Sequence, residues 1–285
     1  MSQLPTLIDL ALQEDLADIG DVTTEFFISP DDQSRGVINT REDAVLSGMD
    51  IAAAVFEKVD PHLAVNILKQ DGSEVTAGDP VMTIEGSTRS ILTGERTALN
   101  FMQRLSGVAS VAREFSKRVS HTKAQILDTR KTTPGWRLIE KEAVVHGGGT
   151  NHRIGLYDAV MVKDNHLVSE SSSESLRESI QQLALKHPGI KIEFEADRLD
   201  QVETFLGISE IDVILLDNMS NEQLMQAVSL RDKRREGCLL EASGGVNLET
   251  VTEIAETGVD YISVGALTHS VRSVDLGLDL IRLEA

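Results

Sequence analysis

Six short apolar runs, each followed by a stretch with helical periodicity, dominate the chain from about residue 124 onward. The runs are nearly continuous rather than alternating, which is typical of strands buried on both faces of a parallel sheet. A repeated strand and helix predicts βα units and an α/β fold. The predicted strands are AQILDT (124–129), DAVMVK (158–163), KIEFEA (191–196), DVILLD (212–217), CLLEAS (238–243) and DYISVG (260–265).

Polar residues gather where these predicted strands end. In α/β barrels the carboxyl ends of the strands form the catalytic face, so we expect one site there. A polar strand end can also reflect nothing more than contact with solvent, but that explanation fits one strand better than six. The residues concerned are Asp128, Arg130, Lys163, Glu195, Asp217, Ser243 and Gly265.

The first hundred residues have a different pattern, which predicts antiparallel strands, tight turns and a separate α+β domain. The stretch from Gly72 to Gly86 resembles half of a lipoyl or biotinyl carrier hairpin. No lysine lies between Lys69 and Lys117 to accept such a group, so we interpret the hairpin as scaffold. A helix is predicted over 94–115, with an apolar stripe for packing and a polar stripe of Arg96, Asn100 and Gln103.

Composition restricts the cellular compartment and the classes of partner that we expect. The single cysteine, Cys238, excludes an intramolecular disulfide, and no Lys or Arg precedes Arg35 to start a targeting peptide, so we expect a cytoplasmic protein. No apolar run approaches the roughly 18 residues that a membrane span needs. A formal net charge of -19 disfavours nucleic acid. We expect neither a membrane nor a nucleic acid as a partner.

Against this acidic background, cationic side chains are concentrated between Asp128 and His166, and five of the cations and histidines there are candidates for a site. The planar guanidinium of arginine can form paired hydrogen bonds, the ammonium of lysine is a point charge on a flexible chain, and the charge of histidine changes near neutral pH. All three side chains suit carboxylates and phosphates. The stretch therefore predicts a pocket for a small polyanion, built from Arg130, Lys131, His152, Arg153 and Lys163. We expect supporting or structural roles for His146 and His166. Salt bridges on a helix surface are expected for Glu140, Lys141 and Glu142.

Two acids end successive strands beside these cations. Glu195 and Asp217 offer hard oxygen ligands that suit Mg²⁺ shared with a substrate phosphate. They can equally be salt-bridge partners of Lys163 and Arg130. Alternation along the strand leaves Glu193 as a rival to Glu195.

Glycine-containing turns follow several strands. GGGTNHR at 147–153 allows backbone to approach a ligand closely before His152 and Arg153. The turns after the last two strands offer backbone N–H groups to a phosphate, a position where barrels commonly bind one. The predicted phosphate cradle comprises Ser243, Gly244, Gly245, Gly265 and Ala266.

Several motifs, taken in order, resemble the quinolinate phosphoribosyltransferase family over essentially the full length. They are ALQEDLADIGDVTT, ERTALNFMQRLSGVAS, DTRKTTPGWR, GGGTNHRIGLYDAVMVKDNH, EFEAD, LLDNMS and LEASGGV. The resemblance implies a type II phosphoribosyltransferase-like fold, with an N-terminal α/β sandwich (1–113) and an incomplete α/β barrel (114–270). It also implies a C-terminal helical tail (271–285) that packs on the N-terminal domain. The resemblance further implies a homodimer or a higher oligomer with shared active sites, in which Arg96 is offered across the interface.

The resemblance also implies roles for individual residues. The catalytic set is Lys131, Lys163, Glu195 and Asp217, of which the two acids hold the metal and the ribose. Substrate binding falls to Arg96 and the predicted phosphate cradle, together with Thr129, Arg130, Lys131, His152, Arg153 and Lys163. The spacing from EFE to LDN is one residue longer than usual in the family, which keeps Glu193 and Glu195 both open. Trp136 replaces a smaller aliphatic residue, and Glu142 replaces an aromatic residue.

The implied reaction joins quinolinate to phosphoribosyl pyrophosphate with Mg²⁺. It releases pyrophosphate and carbon dioxide and gives nicotinate mononucleotide for NAD synthesis. Alternatives within the class are a nicotinate phosphoribosyltransferase or the molybdenum-transport-associated paralogue, although a monoacid substrate needs fewer cations. An alternative from another class is a non-catalytic phosphate-binding barrel or carrier module, which leaves Arg96, Arg153 and the acid pair without a task.

Overall fold

Chain contacts separate the protein into two units. The structure is a computed structural model and describes residues 4–163 and 173–283. Unit 1 comprises Met1–Arg113, Thr133–Gly148 and Ser270–Ala285, and unit 2 comprises Glu114–Thr132 and Gly149–His269. Unit 1 therefore includes a segment, Thr133–Gly148, that lies inside the predicted barrel domain.

The order of the elements alternates strands and helices along most of the chain. The helices are α1 Leu4–Leu16, α2 Val22–Phe27, α3 Met49–Val59, α4 Thr88–Val119, α5 Arg137–His146, α6 Ser173–Lys186, α7 Leu199–Leu206, α8 Asn221–Arg234, α9 Val251–Glu256 and α10 Ala266–His269. The strands are β1 Gln33–Thr40, β2 Ala44–Val45, β3 Ala64–Ile67, β4 Glu74–Val75, β5 Pro80–Ser87, β6 Gln125–Leu127, β7 Ala159–Val162, β8 Lys191–Ala196, β9 Val213–Asp217, β10 Leu239–Ser243, β11 Tyr261–Ser263 and β12 Leu276–Arg282.

Unit 1 contains a four-stranded antiparallel sheet in the order β12-β1-β5-β3 and a small β2–β4 pair. Burial alternates along β1, as expected when one face of a sheet is covered. A Cβ at Gly36 would lie 3.3 Å from the side chain of Ile91, so α4 packs closely over this face. A Cβ at Gly94 would lie 2.9 Å from the ring of Phe56, so α4 and α3 pack closely because Gly94 has no side chain.

The C-terminal segment corrects one prediction. A helical tail was expected over 271–285, but Leu276–Arg282 forms strand β12, which pairs antiparallel with β1. The sequence LGLDLIR alternates apolar and other residues with the period of a strand, and Leu276 is buried. Pairing with β1 also satisfies backbone groups that the sheet edge would otherwise expose.

Unit 2 contains a six-stranded parallel sheet in the order β6-β11-β10-β9-β8-β7. All six predicted strands are present. β6 and β7 are adjacent in sequence but form the two edges of the described sheet, so the barrel is incomplete, as predicted. Leu127 of β6 pairs with Ser263 of β11 and also makes an isolated parallel bridge to Thr150, which lies between β6 and β7 in sequence. All pairs are parallel, so every strand delivers its carboxyl end to the same edge of the sheet.

The helix predictions also agree with the structure. The predicted apolar stripe on α4, from Ala98 to Phe115, is buried. Gly258 has φ +90° just after α9, as a helix C-terminus favours. None of the helices in the described parts of the chain has the length and apolarity that a membrane crossing requires.

Candidate active site

A cavity of about 620 Å³ opens at the carboxyl ends of the unit 2 strands. It gathers thirteen sequence-predicted residues: Thr129, Arg130, Lys131, His152, Arg153, Lys163, Glu195, Asp217, Ser243, Gly244, Gly245, Gly265 and Ala266. The sequence did not single out the other lining residues, which are Met161, Leu215, Asn218, Glu241, Val246, Ser263 and His269.

Strand register explains why the acids share this cavity. Glu195 on β8 is paired with Leu215 on β9, and Asp217 on β9 is paired with Ser243 on β10. Residues two apart on a strand point to the same side, so Leu215 and Asp217 both face the cavity that they line. Two successive strands thus supply one carboxylate each.

The structure also separates the two rival glutamates. Glu195 lines the cavity and forms an ion pair with Lys163. Glu193 instead lines a second cavity of about 350 Å³, together with residues that begin strands, such as Lys191 and Val213. Within the described residues, Glu195 is therefore the β8 acid of the main cavity.

Two half-buried arginines bring positive charge to the cavity. Arg153 donates from Nη1 to the Ala159 carbonyl oxygen (3.2 Å) and from Nη2 to the sulfur of Met161 (3.5 Å). Burial lowers the pKa of Arg153, and the neighbouring charge of Arg130 lowers it further. The Nε of Arg130 is buried without a hydrogen-bond partner among the described residues. A buried cationic donor without an acceptor favours an anionic ligand at this position.

A buried aspartate links two loops that line the cavity. Asp128 follows β6, is fully buried, and accepts the backbone N–H of His152 at 2.8 Å. Backbone bonds from Thr150 to Ile126 (2.8 Å) and from Asp128 to Thr150 (3.1 Å) add to this link. The loops that carry Arg130 and Arg153 are thereby held together within unit 2.

The turn after β9 adds a residue that sequence reasoning missed. Asn218 has a positive φ of 53°, donates its side-chain N–H to Asp217 Oδ2 (2.8 Å), and donates its backbone N–H to the Ser243 carbonyl oxygen (2.9 Å). A non-glycine residue in this region is uncommon and carries strain. Its position next to Asp217 in the LDN motif was the available signal.

The predicted phosphate cradle has the backbone geometry that its glycines allow. Gly244 has φ +99°, and a Cβ there would lie 2.1 Å from Asn218 Oδ1. Gly245 has φ +61° and faces open space. Near the other turn, a Cβ at Gly265 would lie 3.1 Å from Cδ of Lys131. Glycine is therefore required by packing at Gly244 and Gly265, and by the positive φ at Gly244 and Gly245.

His152 lies in a polar cluster with two buried acids, Glu193 and Glu241. Its Nε2 is 3.1 Å from Glu193 Oε2 and 3.3 Å from Glu241 Oε2. Burial alone lowers the pKa of His152, but hydrogen bonds and charges from both glutamates outweigh it and raise the pKa to about 10. Burial raises the pKa of Glu193. Sequence reasoning missed Glu241, which lies within the apolar run CLLEAS. A charged residue inside such a run was the available signal.

Other predicted residues lie away from this cavity. Arg96 is exposed on the unit 1 part of α4 and is not among the described residues that line the unit 2 cavity. In unit 1, His146 Nδ1 lies 2.9 Å from Ser47 Oγ, which fits the supporting role expected for it. His166 lies outside the described residues.

The expected surface salt bridges of α5 need correction. Glu140 and Lys141 are buried, with 0% and 1% of their surface exposed, and only Glu142 is exposed. Glu140 pairs with Arg104, 36 positions earlier in the chain. Local sequence does not reveal such a distant partner, which is why the helix face looked solvated.

The fold and the cavity define a class of protein: an α/β enzyme whose strand ends hold several cations, two carboxylates and a glycine-rich phosphate cradle. Residues 21–106 match the quinolinate phosphoribosyl transferase N-terminal domain, and residues 108–279 match the C-terminal domain of the same family. The chain belongs to the quinolinate phosphoribosyltransferase family, as its motifs indicated.

Similar proteins cover almost the whole chain. A nicotinate-nucleotide pyrophosphorylase (carboxylating) from Mycobacterium leprae is 42% identical, covering 95% of this chain and 94% of its own. The solved structure of a nicotinate-nucleotide pyrophosphorylase from Francisella tularensis is 37% identical with a TM-score of 0.91, covering 98% of this chain and 96% of its own. The corresponding structure from Ehrlichia chaffeensis is 40% identical with a TM-score of 0.89, covering 97% and 98%.

Proposed function

We propose that the unit 2 cavity transfers the phosphoribosyl group of phosphoribosyl pyrophosphate to quinolinate, with loss of carbon dioxide, to give nicotinate mononucleotide for NAD synthesis. The observation that carries this proposal is the convergence of Arg130, Lys131, Arg153 and Lys163 on one cavity beside the phosphate cradle. The relatives bear names for this activity. The cations suit a dicarboxylate, and the glycine turns suit a phosphate.

The reaction requires the enzyme to position its two substrates more than to form covalent bonds with them. The lone pair of the pyridine nitrogen attacks C1 of the ribose while the C1–O bond breaks and its electron pair leaves with pyrophosphate. The ring nitrogen is then positive, so the bond from C2 to its carboxylate can break, releasing carbon dioxide and leaving the electron pair on C2. That carbon takes a proton from water. In this proposal the arginines and lysines orient the two anions and stabilise the charge that develops on the leaving group.

We further propose that Glu195 and Asp217 hold Mg²⁺ and the ribose. The donors are carboxylate oxygens, which suit a hard cation, and two of them leave coordination positions for substrate phosphate oxygens and water. When bound, Mg²⁺ would neutralise charge on the pyrophosphate. Chelation should abolish turnover and added Mg²⁺ should restore it. Mn²⁺ binding, followed by electron paramagnetic resonance with phosphoribosyl pyrophosphate present, should weaken in Asp217→Asn.

The activity is tested by the release of carbon dioxide from carboxyl-labelled quinolinate in the presence of Mg²⁺ and phosphoribosyl pyrophosphate. We expect release by the purified chain, and poor use of nicotinate because a monoacid leaves some of the cations unpaired. Equal or faster turnover of nicotinate would contradict the quinolinate assignment. Binding of phosphate ligands without any turnover would favour the non-catalytic barrel.

We propose a homodimer in which the partner subunit's Arg96 completes each site. The support is that Arg96 is exposed on α4, whereas the family resemblance implies a substrate-binding role for it. Arg96→Ala and Arg153→Ala should each cripple turnover without unfolding the chain. If sites are shared, mixing the two inactive variants and allowing the subunits to exchange should restore about a quarter of the activity, since half of the dimers then hold one intact site. No restored activity after proven exchange would place Arg96 outside the site or within its own chain's site.

The cytoplasmic location remains a prediction. It is supported by the single cysteine, Cys238, which is buried and forms no disulfide. Fractionation of cells that express the full chain would test it.

A further inference from the structure

The cluster of His152, Glu193 and Glu241 extends beyond the residues that the proposed function uses. The two glutamates lie on β8 and β10, the strands on either side of β9. Their side chains are 6% and 2% exposed, and that of His152 is 11% exposed. His152 and Glu241 line the main cavity, while all three residues line the second cavity. The cluster thus lies between the substrate cavity and the cavity near the strand starts.

The hydrogen bonds of the ring assign its protons. His152 Nδ1 accepts the backbone N–H of Arg153 at 2.7 Å. A nitrogen that accepts an N–H bond carries no proton, so in this arrangement the ring is neutral and its one proton is on Nε2. A second proton, which the charges of the two glutamates favour, would go to Nδ1 and break the bond from Arg153. Nε2 then donates toward the two glutamate oxygens.

This proton also argues against a metal. One ligand atom from each of the three residues lies within 4.8 Å of the others, a spacing at which a metal could bind. A metal needs the lone pair of Nε2, and a metal-bound histidine normally donates its other ring N–H to an acceptor. Here Nδ1 faces a donor instead. The cluster is therefore arranged around the Nε2 proton of His152 and not around a metal ion.

The carboxylates are poorly compensated by the rest of the fold. Glu193 Oε1 and Glu241 Oε1 are buried and have no hydrogen-bond partner among the described residues. Burying two carboxylates with incomplete hydrogen bonding disfavours folding, and apolar residues of similar size would pack at lower cost. A role in stability alone does not account for the pair.

We propose that Glu193 and Glu241 are positioning residues that fix the ring of His152, and through it the backbone of Arg153, for the carboxylates of quinolinate. The glutamates hold Nε2, which directs Nδ1 to the Arg153 N–H. The Arg153 guanidinium is then fixed by the Ala159 carbonyl and Met161. The chain of contacts leads from two buried acids to the cationic side of the substrate cavity. This inference depends on the proposed function only for the identity of the substrate.

The test uses the full-length enzyme with Glu193→Gln and Glu241→Gln, which keep the side-chain size. Steady-state kinetics are measured separately against quinolinate and phosphoribosyl pyrophosphate. We expect the KM for quinolinate to rise roughly tenfold in each variant, and the KM for phosphoribosyl pyrophosphate to stay within about twofold. In a His152→Ala background, Glu241→Gln should add less than about twofold, because the contact that it alters is already gone.

A matched control is Asp260→Asn, which alters a comparably buried acid of unit 2 outside both cavities. Asp260 pairs with Lys123 (2.7 Å) and Arg231 (2.6 Å) and is 14% exposed. We expect this variant to lower the melting temperature while leaving the ratio of the two KM values unchanged. The control separates a loss of stability from a loss of positioning.

Three outcomes would overturn the inference. The first is that both KM values rise equally, or that only the melting temperature changes, as in the control. The second is full additivity with His152→Ala. The third is a shift in the Mg²⁺ concentration that gives half activity, which would make the cluster a metal site. Failure of the wild-type enzyme to release carbon dioxide would instead contradict the proposed function.

Discussion

The two units each bury carboxylates, but they surround them with very different numbers of donors. In unit 1, Glu140 is fully buried and accepts from Nε (3.3 Å) and Nη2 (3.0 Å) of Arg104, and from the backbone N–H (3.0 Å) and hydroxyl (2.9 Å) of Thr133. In unit 2, Glu193 and Glu241 share the single Nε2 of His152, and each keeps a buried oxygen without a partner among the described residues.

We interpret Glu140 as an acid that stabilises the fold, and Glu193 and Glu241 as acids that position residues of the site. A buried carboxylate with four donors recovers much of the solvation that it lost, and removing it leaves its donors unpaired. A carboxylate with an unpaired oxygen has recovered less, so replacing it by a neutral side chain removes a cost. The two units should therefore respond in opposite ways to the loss of a buried negative charge.

The largest effect on stability is expected for Glu140→Ala. We expect a loss of about 3 kcal/mol in the free energy of unfolding of unit 1, because Arg104 and Thr133 lose a shared acceptor. Urea denaturation can follow this unit through Trp136, the only tryptophan in the chain. Glu241→Gln, followed by circular dichroism, should change stability by less than about 1 kcal/mol. Equal losses in the two variants would remove the distinction between the units.

A second, smaller effect is expected for Gly244→Ala in unit 2. The residue has φ +99°, and the added Cβ would meet Asn218 Oδ1, so both backbone strain and crowding oppose the change. We expect a loss of about 2 kcal/mol in the free energy of unfolding, together with a higher KM for phosphoribosyl pyrophosphate. Gly245→Ala is the control, since φ there is also positive (+61°) but the space is open. If both variants lose phosphate affinity equally, crowding by Asn218 is not the cause.

The strands of unit 2 could be predicted because each one depends on a local sequence pattern. The six strands of unit 2 followed from apolar runs, and several cavity residues followed from the strand ends, because parallel pairing delivers every strand end to one edge. Thr129 was expected only from the family resemblance. The buried role of Glu140 depends on Arg104, far away in sequence, and the partners of His152 depend on strand order. The helical tail was wrong because LGLDLIR alternates with the period of a strand and pairs with β1, a partner far away in sequence.

The smallest effect is expected where this chain departs from its family. Trp136 stacks on Phe101 in unit 1, with ring centroids 4.8 Å apart and an interplanar angle of 19°. Replacing it with the smaller aliphatic residue in Trp136→Leu should cost about 1 kcal/mol, the scale of one aromatic pair beyond its buried area. Thermal unfolding followed by circular dichroism measures this loss, and Phe101→Leu should lower stability through the same contact. Since Trp136 lies outside the unit 2 cavity, both KM values should remain unchanged. A selective rise in the KM for quinolinate would show that packing in unit 1 also affects the cationic residues of the unit 2 cavity. The contrast between a unit that stabilises the fold and a unit that binds substrate would then be wrong.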